Sequence, residues 1–129
     1  MANKKLIMNR EFCIHVYNEL CSGKSYPDIA EEMDIPVIKA FPAFQKAEEE
    51  VKNSPKMQFE CLVYKKAKND ILAKEVIGVL KSYNYNTIGS LKPLTELSFK
   101  EIWEEVNRMS ENMKVREVIF SLIRHVKGV

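Results

Sequence analysis

Few side chains in this 129-residue sequence are of types that do chemistry. There are two histidines, His15 and His125, and three cysteines, Cys13, Cys21 and Cys61. A zinc site built on one helix from His and Cys needs a second such residue at i±3 or i±4, and a zinc framework needs C-x-x-C steps; neither spacing occurs around these residues. Three unpaired-looking cysteines also argue against a disulfide framework, so they read as small buried apolar groups in a reducing compartment. Gly23-Lys24-Ser25 has the letters that close a phosphate-binding loop. The glycine which that loop requires five residues earlier is Asn18, and the preceding segment has the period of a helix, not a strand. Glu101, Glu104 and Glu105 stand near Arg108 at the spacing of a solvated helix instead of forming a cleft with a nucleophile and a base. No catalytic residue, cofactor or metal ligand is assigned from these patterns, and the chain is expected not to be an enzyme.

The elements that carry these residues are those of an ordinary small folded protein, with 46% hydrophobic and 29% charged residues. A chain this long makes one domain or two very small ones. The net charge of +2 is too low for a nucleic-acid coat, so any DNA contact must come from local clustering. Residues 35–69 supply such a cluster, with seven basic and four acidic groups including Lys52, Lys56, Lys65, Lys66 and Lys68. Both a phosphate-facing patch and a solvated helix face fit this pattern. The first ten residues hold no apolar run of signal length, and no stretch is long and apolar enough to span a membrane, so a cytoplasmic location is expected.

The most informative stretch runs from Lys24 to Ala47. Ser25-Tyr26-Pro27-Asp28 starts a helix with a capping-box pattern and a proline in its first turn. Ile29, Ala30 and Met33 make one apolar stripe, Asp34-Ile35-Pro36 makes a corner, and Ala40, Phe44 and Ala47 continue the stripe at helical spacing. This resembles the helix-turn-helix of DNA-binding proteins, and most closely the S-Y-x-[DE]-I-A-E-x-[LM]-x-I-P form of sigma-factor region 4 and related regulators. The resemblance covers about a fifth of the chain.

It implies that the second helix of the pair enters the major groove, with Lys39, Gln45 and Lys46 toward the bases and Lys52, Lys65, Lys66 and Lys68 on backbone phosphates. With Ala40 and Phe44 in the core, however, Val37, Ile38, Phe41 and Pro42 also fall on the groove side, where base edges call for hydrogen-bonding side chains. Pro42 should kink a helix that begins as early as Pro36. Either the helix begins later and DNA is met through Lys39, Gln45 and Lys46, or Val37, Ile38 and Phe41 form an apolar surface that another protein covers.

The rest of the chain reads as helices separated by caps. Asn9 caps a first helix to Cys21, and Gly23 ends it. Ser54-Pro55 opens another, with Met57, Cys61, Leu62 and Tyr64 on its apolar side. Residues 71–82 are apolar nearly all round, as expected of a central buried helix in which Gly78 marks a close crossing. The segment from Tyr83 to Leu97 is the longest irregular stretch. Ser98 to Glu101 is a full capping box, and Ser110 is expected to cap the last helix. The segment from Leu97 to Gly128 resembles a winged helix without its wing, which implies Asn112, Lys114 and Arg116 as further DNA contacts.

The expected fold is all-α, with six or seven helices in two helix-turn-helix-like lobes, 1–54 and 55–129. The expected function, implied by the resemblance, is a DNA-binding regulator of transcription, compatible with a phage or mobile-element origin. The alternative is a non-catalytic module that binds RNA polymerase or another protein through Val37, Ile38 and Phe41. A ring-forming homo-oligomer like a small packaging subunit is a variant of the first reading, and no membrane partner is expected.

Overall fold

The computed structural model describes residues 9–129, which form eight α-helices, one 3-10 helix and no strand. In order these are α1 (Arg10–Cys21), α2 (Tyr26–Glu32), α3 (Val37–Lys52), α4 (Pro55–Ala67), α5 (Asp70–Ser82), the 3-10 turn Ile88–Leu91, α6 (Lys92–Thr95), α7 (Phe99–Met109) and α8 (Met113–Lys127). The chain divides into two compact units, 1–61 and 62–129, so that the boundary lies inside α4. Residues 1–8 of the ten-residue N-terminal stretch read for a signal lie outside the described residues.

Local chemistry fixes where the helices start and stop. Asn9 and Asn69 each accept the third amide of their helix, at 2.8 Å from Phe12 and 3.0 Å from Leu72. Ser25 with Asp28 and Ser98 with Glu101 form reciprocal capping boxes at the starts of α2 and α7. The ends of α1, α2 and α5 share one device. A residue with positive φ follows the cap, and the next amide reaches back to a carbonyl in the last turn: Lys24 N to Glu19 O at 3.2 Å, Ile35 N to Ala30 O at 2.9 Å, Tyr85 N to Leu80 O at 2.8 Å. Gly23 takes that conformation in α1, whereas Asp34 (φ 56°) and Asn84 (φ 64°) take it in α2 and α5.

In the first unit α3 packs across α1 and α2. Val16, Ile29, Ala30, Ala40, Phe44, Ala47 and Val51 are fully enclosed, and Phe12 meets Phe44 with ring centroids 5.9 Å apart. In the second unit α8 is the shared partner of α5, α6, α7 and the 3-10 turn. Its buried positions, Val115, Val118, Ile119, Leu122 and Ile123, meet Val76 and Leu80 of α5 and Ile102 and Val106 of α7 in one core.

Several expectations are corrected. α8, not α5, is the central helix of its unit: α5 buries only Ala73, Val76 and Leu80, and Ile71 stands 80% exposed. Gly78 marks no close crossing, because a Cβ built there meets nothing within 4 Å. The last helix is capped by Asn112, whose Oδ1 accepts from Lys114 N at 3.0 Å, while Ser110 ends α7. The stretch after Tyr83 holds the 3-10 turn and α6, which raises the helix number to eight. α3 does not begin late; it starts at Val37 and runs through Pro42. On α4, Phe59 and Val63 are buried beside Cys61 where Met57, Leu62 and Tyr64 were expected to form the apolar side. Cys21 is exposed, unlike Cys13 and Cys61.

Candidate functional site

α2 and α3 are held as a pair by the corner from Met33 to Pro36. Pro36 cannot donate, fixes its own φ and leads directly into Val37, so the chain leaves α2 and enters α3 within four residues. α3 then turns one face in and offers the other outward. Ala40, Phe44, Ala47 and Val51 are buried at i, i+4, i+7 and i+11. Two residues back from each, roughly 200° around the helix, lie Ile38, Pro42, Gln45 and Glu49, all exposed.

The first two turns of that outer face are apolar. Ile38 is 89% exposed, Phe41 48% and Val37 41%. Tyr26 braces this end: its ring meets Phe41 edge-on at 4.7 Å and Phe44 at 5.9 Å, and its hydroxyl donates to Glu48 Oε1 at 2.9 Å. Pro42 has no amide proton for the Ile38 carbonyl, which therefore lacks its usual partner within the helix. The result is an exposed apolar end packed against Tyr26 through Phe41. Further along, Glu48, Glu49 and Glu50 follow one another on the same helix, and the first unit as a whole carries eight basic and ten acidic residues.

The residues expected to touch DNA are distributed over both units. Lys39, Gln45 and Lys46 are exposed on α3. Lys52 pairs with Glu48 at 3.3 Å one turn back, so its charge is partly matched already. Lys65, Lys66 and Lys68 are exposed at the end of α4, where Lys68 takes a positive φ of 57° that terminates the helix. Asn112 is fully engaged, since it caps α8 and donates to Glu75 at 3.3 Å. Arg116 Nε donates to the Ser110 carbonyl at 2.5 Å, and Lys114 is exposed. In the second unit Lys66, Asn112 and Lys114 come together along an open cleft of about 610 Å³ that Glu75 and Glu117 also line, so the lysines there face as many carboxylates.

The letters Gly23-Lys24-Ser25 have structural work. Gly23 supplies the left-handed end of α1, Ser25 caps α2, and Lys24 bridges Glu19 and Glu32, whose hydrogen bonds raise its ammonium pKa above the ordinary lysine value. Burial raises the Cys61 thiol to about 12 and also lifts that of Cys13, so neither is disposed to ionise near neutrality. His15 and His125 are exposed, and among the described residues no group of three or more His, Cys, Asp or Glu is placed to hold a metal ion. Among the same residues no helix is long and apolar enough to cross a membrane.

Two features were missed by sequence reasoning. Tyr26 enters the sequence reading only through the helix-turn-helix motif, although an aromatic at the first position of α2 signals that something packs over the corner. Phe99, Trp103 and Phe120 form a partly exposed cluster that joins two helices; Phe99 and Trp103 share a face at i, i+4, but nothing local points to Phe120 as their partner. Comparison of the chain with protein-family models, with curated proteins and with solved structures finds no match in any of the three.

Proposed function

We propose that this chain is a non-catalytic binding protein that seats the first two turns of α3 in an apolar groove of another protein. The observation that carries this reading is the exposure of Ile38 beside Phe41 and Val37 on an end where Phe41 packs edge-on against Tyr26. Burying three such side chains removes enough apolar surface for each to act as an anchor, and Phe41, already packed against Tyr26, loses little freedom on binding. The acidic excess of the first unit, with three consecutive glutamates on α3, suits a groove whose rim is basic.

A second reading, a DNA-binding regulator with α3 in the major groove, is favoured by the exposure of Lys39, Gln45 and Lys46. The outermost strip of α3 counts against it. Ile38 and Pro42 offer base edges no side-chain donor, and Glu49 would face phosphate.

Affinity capture from the source cells separates the two. A partner protein retained by the wild-type chain should be lost with Ile38→Asp and with Phe41→Asp, and kept with Lys39→Ala and Lys46→Ala. Binding of a mixed-sequence duplex at about 50 mM salt that weakens with the two lysine changes and ignores Ile38→Asp would overturn the proposal in favour of DNA.

A further inference from the structure

The second unit carries a surface of different chemistry. Trp103 and Phe120 meet edge to face at 5.3 Å, and Phe99 lies 6.0 Å from Phe120, which brings three aromatic rings together where α7 and α8 adjoin. Phe99 is 42% exposed, and Trp103 and Phe120 are partly so. Along α8 the same side repeats as Met113, Arg116, Phe120, Arg124 and Lys127, at steps of three and four residues that keep them in one strip. That strip has three cations, Arg116, Arg124 and Lys127, and one acid, Glu117, four residues after Met113 and seven before Arg124. Glu117 also lines the neighbouring cleft; on α7 Glu101 is tied into its capping box, Glu105 pairs with Arg108 at 2.5 Å, and Glu104 is exposed next to Trp103.

Two of the cations have local tasks. Lys127 donates to the carbonyls of Thr95 and Leu97 at 2.6 and 3.1 Å while lying 5.3 Å from the Phe99 centroid, and Arg116 holds Ser110. Arg124 and, beside Phe99, Lys100 are exposed. The unit as a whole has twelve basic and eight acidic residues.

We propose that this aromatic and basic face binds single-stranded nucleic acid, with unpaired bases stacking at Trp103 and Phe99 and phosphates meeting Arg124 and Lys100. Unpaired bases offer π-faces that a duplex keeps stacked inside itself, and such stacking needs partly exposed rings flanked by cations. An anionic membrane would need a broad apolar face to bury, whereas Phe120 and Trp103 are more than half covered by their own chain. The surface belongs to the second unit and is independent of the protein groove proposed for α3.

Trp103 is the single tryptophan of the chain, so its emission reports the site directly. Titration with an oligothymidylate of about 20 nucleotides at about 50 mM salt should quench it with micromolar affinity, and two or three phosphate contacts should give a log–log salt slope of about −1.4 to −2.1. Arg124→Glu and Lys100→Glu should each weaken binding about tenfold, and Glu104→Gln should strengthen it about twofold. Ile38→Asp should change nothing, which keeps this surface separate from α3. No quenching at about 50 μM protein, quenching that ignores both charge reversals, or equal affinity for a blunt duplex overturns the proposal. So does a blue shift of Trp103 on phosphatidylserine vesicles without any response to the oligonucleotide.

Discussion

The hydroxyl of Tyr26 donates to the Glu48 carboxylate at 2.9 Å, joining the start of α2 to the middle of α3 beside the apolar end of that helix. Burial first, and the Glu48 hydrogen bond second, raise the Tyr26 phenol above its ordinary value. A raised folded-state value means that the stabilisation is full below the unfolded tyrosine value of about 10 and is lost as pH climbs through the folded one. Tyr26→Phe should cost about 0.5–1.5 kcal/mol near neutrality, and between about pH 9 and 11 the variant should lose less stability than the wild type. Urea titrations at both ends of that window measure it.

The residues that end helices with positive φ should be improvable. Asp34, Lys68 and Asn84 all occupy a conformation that costs a side chain free energy, least for asparagine and most for lysine, which has no short polar group to compensate. Replacement by glycine is expected to stabilise by about 0.5–1 kcal/mol at Lys68 and Asp34 and by less at Asn84, read as rising melting temperatures.

Glu60 is the one charged side chain among the described residues that is buried, and Arg10 is an ion-pair partner. Removing that cation while the carboxylate stays inside is the costly change. Arg10→Met should destabilise by about 1–3 kcal/mol, and adding Glu60→Met should recover part of it, a non-additivity that denaturant midpoints at constant slope would measure.

The two sides of α3 should respond oppositely to truncation. Phe44 lies wholly inside the first unit, so Phe44→Ala is expected to cost about 3–5 kcal/mol. Ile38 touches mainly solvent, so Ile38→Ala should stay within about 0.5 kcal/mol of the wild type. Thermal melts of both variants make the comparison.

How much of this was legible in advance depended on whether the signal was local. The pairing of α2 with α3 could be read because Ile29, Ala30, Ala40, Phe44 and Ala47 repeat at one period on either side of a proline corner. The exposure of Val37, Ile38 and Phe41 then followed by subtraction. The choice of central helix in the second unit went wrong because residues 71–82 have the higher apolar content. Burial follows the stripe rather than the content, and Val115, Val118, Ile119, Leu122 and Ile123 make the wider one. Ser110 and Asn112 are both able to cap, and only the position of the first helical turn at Met113 decides between them. The contacts of Phe120 with Phe99 and Trp103, and of Arg10 with Glu60, join residues far apart in the chain, where no periodicity connects them.

Placing a photo-crosslinking amino acid at Ile38 and irradiating the source cells asks most directly what α3 meets. The expected product is a discrete adduct with a second polypeptide that disappears when Phe41→Asp is introduced into the same chain. An adduct that nuclease digestion destroys, or a position 38 that captures nothing while the chain remains folded, would contradict a protein-binding role for this helix.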